Sequence, residues 1–126
     1  MRIKNATFEI AVPAGKYWLG DPCYAVPSDL WMDLFNSCQI FEFPIGTIKG
    51  EKVYEVLAFG TAHGDGCYED QHGNSFPVDA GLIGLTPVDL AEDQPFGCTL
   101  VHFPTETICS SYGGVLTFGE HEIDTR

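Results

Sequence analysis

Two short segments of the chain carry residue types that could do chemistry, and they nearly repeat each other. GDPCY at 20–24 and GDGCY at 64–68 differ only at the third position. Glycine followed by Asp is typical of a turn, because glycine adopts positive φ without penalty and the Asp side chain accepts bonds from nearby amides. The repeat predicts two similar turns, or it predicts one shared site. That site would contain Asp21, Cys23, Asp65 and Cys67.

Two further polar residues flank these segments. His63 directly precedes the second one, and Asp79 lies in an otherwise small and apolar run, VDAG. We expect Asp79 to be buried or half-buried, so it must be hydrogen-bonded or paired, or else its pKa rises. It would bond the free amides of a turn, or act as an active-site acid. The complete set of candidate ligand-binding residues is Asp21, Cys23, His63, Asp65, Cys67 and Asp79.

These residue types are compatible with two kinds of enzyme. A cysteine nucleophile with His63 as base and an Asp to orient it would make a thiol enzyme. A metal held by His63, Asp65 and Asp79 would suit a hydrolase. The sequence has no Gly-x-Ser-x-Gly elbow, phosphate loop, dinucleotide fingerprint or zincin helix. A binding function is therefore favoured, a small hydrolase is the alternative, and no motif predicts a cofactor.

The two segments also carry a resemblance. KYWLGDPCYAVP at 16–27 and GDGCYEDQHGNSFPVDAGLIG at 64–84 resemble motifs of a family of small proteins from bacteria and their phages. The resemblance covers about a third of the chain and implies a bacterial or phage origin. It brings no activity, cofactor or site assignment with it.

The charge of the chain limits its partners. Six basic against eighteen acidic residues give a net charge of −12. Such a molecule repels nucleic acid and anionic membranes, so we expect it to bind neither directly. Two binding modes remain. Its acidic surface could mimic a phosphate array and engage a basic host protein, or a pocket between the two Gly-Asp turns could hold a small ligand.

Composition predicts one domain, residues 1–126, in the cytoplasm. The chain is 44% hydrophobic, enough for a core of its own. No apolar run approaches the roughly 20 residues of a membrane-spanning helix, and no signal-peptide core follows Met1. The five cysteines are odd in number, are widely spaced and lack a C-x-x-C pair, so most should be buried free thiols. Nothing in the sequence predicts the oligomeric state.

Periodicity predicts an α+β fold, mainly an antiparallel sheet or partly open barrel, with one packed α-helix and a short second helix. Ser28 is the predicted N-cap of the main helix, 29–37, and Thr86 that of the short one. A hairpin is predicted at 68–78, with its turn at 71–74, in preference to a calcium loop. The other predicted strands are 7–12, 16–19, 39–43, 51–59, 98–103, 106–110 and 114–118.

The remaining segments are predicted to be irregular. Residues 44–50 would form a turn-rich connection, and the long strand 51–59 would be central, with apolar residues on both faces. The last three strands would make a C-terminal meander. The polar tail, 119–126, would fray, with His121 exposed on the surface.

Overall fold

The structure is a computed structural model and describes residues 7–38, 44–49, 52–91 and 93–126. Most of these residues lie in strands. The strands are β1 Phe8–Val12, β2 Gly15–Gly20, β3 Ile45–Lys49, β4 Val53–Gly60, β5 Gly66–Glu69, β6 Ser75–Val78, β7 Leu82–Pro87, β8 Thr99–Phe103, β9 Thr107–Tyr112, β10 Val115–Phe118 and β11 His121–Asp124. The helices are α1 Pro22–Ala25, α2 Trp31–Ser37 and a 3-10 helix, Val88–Leu90.

All strand pairs are antiparallel, as the sequence predicts. One sheet has five strands in the order β3-β4-β7-β2-β8, and a second has four in the order β1-β9-β10-β11. Strands β5 and β6 form a separate hairpin. The α+β fold class is confirmed, and the described strands form no closed barrel.

The two sheets enclose the main core between them. Alternate residues of β7, Ile83 and Leu85, point into this core, and Leu116 and Phe118 of β10 meet them from the four-stranded sheet. The opposite face of the five-stranded sheet carries Leu82 and is covered by the helices. The fold therefore has three layers, with the five-stranded sheet in the middle and β7 at its centre.

Small residues on the helix-facing side of this middle sheet let the backbone approach closely. Ala58, Gly84 and Gly20 are cross-strand neighbours on β4, β7 and β2. A Cβ atom on Gly84 would collide with the backbone of Leu57. One on Gly20 would lie 2.7 Å from Sγ of Cys98. Glycine is therefore required at both positions by space, and α1 lies against the surface that they leave open.

Strand β4 confirms the predicted two-faced pattern. Leu57 and Phe59 enter the core between the sheets, whereas Val56 and Ala58 face the helices. The strand is interior, between β3 and β7, although the central position belongs to β7. The predicted strand 7–12 and the hairpin around the turn at 71–74 are also present.

Two strands of the middle sheet were missed. Strand β7 is buried along almost its whole length, so it shows no alternation of polar and apolar residues, and its glycine resembles a loop signal. The prediction of a turn-rich connection over 44–50 was wrong, because Ile45–Lys49 is strand β3. Gly46 of this strand lies directly beneath the Leu34 side chain, so the glycine serves packing and not a turn.

Both predicted helix caps were wrong. Helix α2, which corresponds to the predicted main helix, begins at Trp31 after a turn at 28–30. The residue at its N-cap position, Leu30, makes no side-chain cap. Thr86 is 1% exposed inside β7, and the residue at the N-cap of the 3-10 helix is Pro87. At Thr86, burial within the sheet outweighs the local capping pattern, whereas Ser28 is exposed and belongs to the turn that precedes α2.

The C-terminal segment is ordered, so the prediction of a frayed tail was wrong. Residues His121–Asp124 form β11, and Ile123 is fully buried. His121 is only partly exposed. Strands β9, β10 and β11 make the meander, whereas β8 pairs with β2 in the other sheet.

The predicted strand 39–43 lies outside the described residues. In the part of the chain that is described, no helix is long and apolar enough to cross a membrane.

Helix α2 packs on β3 through Leu34, which is fully buried, whereas Met32 on the same helix is 56% exposed. Leu34→Ala should lower the free energy of unfolding by about 2 to 5 kcal/mol, because it leaves a cavity under the helix. Met32→Ala should change it by less than about 0.5 kcal/mol. Urea denaturation measures both. Equal effects of the two substitutions would show that the helix is not docked through Leu34.

Candidate functional site

The two Gly-Asp segments leave the same end of the middle sheet. Strands β2 and β4 both run antiparallel to β7, so both end where β7 begins: Gly20 pairs with Gly84, and Gly60 with Leu82. Asp21 follows the first of these ends directly, and the loop that contains His63 and Asp65 follows the second. We call this region the corner end of the sheet.

The carboxylate of Asp21 connects three parts of the corner end. Its Oδ1 accepts a hydrogen bond from the amide of Cys23 at 2.9 Å, which makes it the N-cap of α1. Its Oδ2 accepts bonds from the amides of Asp79 at 2.8 Å and Ala80 at 2.7 Å. The residue is 0% exposed. Asp21 thus has the turn-bonding role that the sequence analysis gave to Asp79.

Asp79 itself is exposed, so the prediction that it is buried was wrong. It follows the buried Val78 at the end of β6, and the alternation of the strand points its side chain outward. Its Oδ2 accepts a hydrogen bond from the hydroxyl of Tyr24 at 2.7 Å, and this bond raises the pKa of Tyr24. The ring of Tyr24 contacts the ring of Phe96 edge-on, with 5.2 Å between the ring centres. Tyr24 therefore connects an exposed carboxylate at its hydroxyl with a second aromatic ring at its own ring.

Asp65 lies next to Asp79 by strand register. Gly66 pairs with Val78 at the open end of the β5–β6 hairpin, so the positions one residue further out are 65 and 79. The loop before Asp65 is held by the hydroxyls of Thr61 and Tyr68, which donate to the carbonyl of Gly64 at 2.6 and 2.9 Å.

The structure places the six predicted site residues as follows. Hydrogen bonds join Asp21 to Cys23 and Asp79, register places Asp65 beside Asp79, and Cys67 pairs with Pro77 within the hairpin. His63, Asp65 and Cys67 are exposed. A single pocket that takes in all six side chains stays a prediction.

The near-repeat adopts two different conformations. After Asp21, Pro22 occupies the first turn of α1, a position that suits proline because the amide it lacks has no partner there. After Asp65, Gly66 begins strand β5. The two backbones already differ at the first glycine, because Gly64 has a φ of 75° whereas Gly20 is the last residue of strand β2.

Three thiols, of the half-buried Cys23 and the buried Cys98 and Cys109, have raised pKa values that favour the protonated form. Burial, together with the charge of Asp21, raises the pKa of Cys23 to about 12. Burial likewise raises the pKa of Cys98 to about 12 and that of Cys109 to about 11. A nucleophilic cysteine needs a lowered pKa, so Cys23 is poorly suited to the thiol-enzyme alternative. All five cysteines are free, and Cys67 is the exposed one.

The metal-hydrolase alternative gains no geometric support. Among the residues that the structure describes, no three His, Cys, Asp or Glu side chains form a group that could hold a metal ion. His63, Asp65 and Asp79 all belong to the described part of the chain.

A second polar cluster, which the sequence analysis missed, lies at the turn of the β5–β6 hairpin. Oδ1 of Asp70 accepts bonds from the amides of His72 at 2.9 Å and Asn74 at 3.0 Å. Its Oδ2 accepts one from Nδ2 of Asn74 at 2.8 Å and lies 2.9 Å from Nδ1 of His121. Burial acts to raise the pKa of Asp70, but these bonds outweigh it and lower the pKa to about 2.

This cluster attaches the hairpin to β11. Asp70 forms a backbone bridge with Ile123, and the side-chain amide of Gln71 bonds the backbone of Glu120 and Glu122 on either side of His121. Asp70 and Asn74 are two of the four residues, with Asp65 and Glu69, that superficially resemble a calcium loop in the sequence. The spacing of Asp70 and Asn74 predicts a turn capped by the Asp side chain. His121 is 51 residues from Asp70, and no local sequence pattern predicts the contact between them.

One cleft lies far from both clusters. It has a volume of about 340 Å³ and opens at the other end of the middle sheet, between the start of β4 and the end of β1. Its lining is mainly apolar, and its members with a polar group are Tyr17, Lys52, Tyr54, Glu55 and Asp89. None of the six predicted site residues lines it.

Comparison with protein-family models, with curated proteins and with solved structures finds no significant match. The resemblance to small bacterial and phage proteins therefore stays a prediction, and the site must be judged on its own geometry.

The environments of the cysteines predict their reactivity. In the folded protein at pH 8, iodoacetamide should modify Cys67 at a rate near that of a free thiol, because this residue is exposed. Cys23 should react at least about tenfold more slowly, since its raised pKa leaves almost no thiolate. Mass spectrometry of timed digests measures both rates. Preferential modification of Cys23 would contradict this description and restore the thiol-enzyme alternative.

Proposed function

We propose that this protein is a small acidic binding protein that engages a basic protein partner through its corner end. The recognition surface consists of the carboxylates of Asp65 and Asp79 and the rings of Tyr24 and Phe96. We call it the corner surface. The observation that carries the proposal is the exposed Asp79 carboxylate, which accepts a hydrogen bond from the hydroxyl of Tyr24, whose ring in turn contacts Phe96, itself 70% exposed.

The chemistry of the corner surface suits a guanidinium or ammonium group. Carboxylates accept charge-assisted hydrogen bonds from Arg and Lys, and the face of an aromatic ring attracts the same cations. Phe96 contributes an apolar area that the fold leaves in solvent. A basic side chain of a partner would cover this ring while its charge meets Asp79.

The distribution of charge in the fold also favours the corner end as the place where a cationic partner binds. Lys16 lies near the start of β2, and Lys49 and Lys52 flank the turn between β3 and β4. All three are thus displaced toward the end of the middle sheet that is opposite the corner end. The acidic residues that the structure describes are exposed, except Asp21 and Asp70. The fourth described basic residue, Arg126, lies near Ala62, and its guanidinium is paired with Asp124 at 2.8 Å. The three lysines therefore weaken attraction of a cationic partner more at the opposite end than at the corner end.

Of the two binding modes that the sequence left open, the basic partner has more support. The 340 Å³ cleft lies away from the corner end, so a small ligand bound there would not touch the predicted site residues. A small hydrolase remains the alternative function, but the protonated Cys23 supplies no nucleophile for it. Cytoplasmic location and a bacterial or phage origin are parts of the same proposal.

The test compares two charge-matched double variants in binding a fluorescent nona-arginine peptide. Asp65→Asn with Asp79→Asn removes two carboxylates from the corner surface. Asp29→Asn with Asp33→Asn removes two exposed ones at α2, where Asp33 shares a groove with Lys49. The first pair should weaken binding about tenfold or more, equal to about 1.4 kcal/mol, and the second by less than about threefold.

Phe96→Ala should weaken binding of the peptide several-fold while leaving the salt dependence of binding unchanged, because the ring carries no charge.

Affinity of the unmodified protein should fall steeply with salt, since exposed charges are screened beyond about 10 Å at 0.1 M ionic strength. Equal losses in the two double variants, or binding indifferent to salt, would contradict a local recognition surface. Competition with duplex DNA for a basic host protein then tests mimicry of nucleic acid.

A further inference from the structure

The ring pair His72–His121 lies at the turn of the β5–β6 hairpin, at the opposite end of the hairpin from the corner surface. The proposed function does not use it. The two imidazole centres are 5.3 Å apart with an interplanar angle of 77°. His72 belongs to the hairpin turn and His121 begins β11, so the pair spans the junction between two elements. We propose that this pair is a binding site for a divalent transition-metal ion that prefers imidazole, namely Cu²⁺, Ni²⁺ or Zn²⁺.

The spacing of the rings fits a shared ion. Metal–nitrogen bonds of about 2.0 to 2.1 Å bring two imidazoles in neighbouring coordination positions to ring centres roughly 5 Å apart. The observed separation is close to this value. The His72 side chain is exposed, so it is free to change rotamer and turn a ring nitrogen toward the ion.

Asp70 prepares His121 as a ligand. Its buried carboxylate lies 2.9 Å from Nδ1 of His121, so this nitrogen carries the proton of the hydrogen bond and Nε2 is left as the lone-pair donor. A histidine that binds metal through one nitrogen usually donates the other N–H to a carboxylate, which fixes the ring and raises its basicity. Asp70 also accepts the amide of His72, so one carboxylate positions both candidate ligands.

The site would be open and selective for particular metals. Two imidazoles leave coordination positions to water or to an external ligand, which agrees with the lack of any group of three protein ligands in the described residues. Imidazole favours Cu²⁺ over Ni²⁺, and it binds Mg²⁺ poorly because that ion prefers oxygen. This order distinguishes the histidine pair from the general attraction of an acidic surface for cations, which Mg²⁺ would share.

The experiment is titration calorimetry with Ni²⁺ and Cu²⁺ in excess Mg²⁺. The full chain is used with Cys67→Ser, which removes the exposed thiol as a competing ligand. One ion should bind, Cu²⁺ more tightly than Ni²⁺. His72→Gln should lower the affinity about tenfold or more, and Asp70→Asn about 10- to 100-fold through the orientation of His121. His102→Gln, which removes an exposed histidine of β8, is the matched control and should change nothing.

Substitutions at Asp70 or His121 can disturb the hairpin, so a second measurement uses no variant at these positions. In NMR spectra of the Cys67→Ser protein, substoichiometric Ni²⁺ should broaden the ring signals of His72 and His121 before those of His63 and His102. Equal broadening of all four histidines would overturn the proposal. Affinity unchanged by His72→Gln, or abolished by Mg²⁺, would overturn it as well. None of these outcomes bears on binding of the arginine peptide at the corner surface.

Discussion

The fold depends on a buried negative charge that has no cation beside it in the described structure. Asp21 is fully buried, and a carboxylate taken out of water costs several kcal/mol unless other dipoles replace its hydration. Three backbone amides do so here, those of Cys23, Asp79 and Ala80. Because these amides come from α1 and from the link between β6 and β7, the carboxylate sets how helix, hairpin and middle sheet meet.

The β5–β6 hairpin is secured in this way at both of its ends. At its base, the residues that follow β6 donate to Asp21. At its turn, Asp70 is satisfied by two amides, a side-chain amide and an imidazole. In the described residues, no buried side-chain nitrogen or oxygen lacks a hydrogen-bond partner. Each buried Asp therefore organises one end of the hairpin and presents different exposed groups there: carboxylates beside aromatic rings at the base, and two imidazoles at the turn.

Local patterns predicted the parts of this fold that local physics decides. The alternation in β1, the long apolar run of β4 and the Gly-Asn turn of the hairpin were enough to place those elements correctly. Strand β7 was not predicted, because its burial on both faces removes the alternation of polar and apolar residues. The predicted cap at Thr86 was wrong because this residue is buried inside the central strand, and the one at Ser28 was wrong because a turn at 28–30 precedes α2.

The candidate site was predicted in part for the same reason. The Gly-Asp segments marked the correct end of the sheet, since turns follow strand ends. The roles of Asp21 and Asp79 were exchanged, because the sequence does not show which of two acids 58 residues apart is enclosed. The pairing of Asp70 with His121 depends on docking the hairpin onto β11, a contact between distant segments that no spacing rule encodes.

The most direct test of this account is amide hydrogen exchange in Asp21→Asn. An asparagine has one acceptor oxygen, and its amide group would face the donors of Asp79 and Ala80. Exchange at these two amides should become faster and the free energy of unfolding should fall by about 1 to 3 kcal/mol, whereas Asp29→Asn, at an exposed acid, should leave both unchanged. Unaltered exchange and stability in Asp21→Asn would contradict the claim that this carboxylate holds the corner end together.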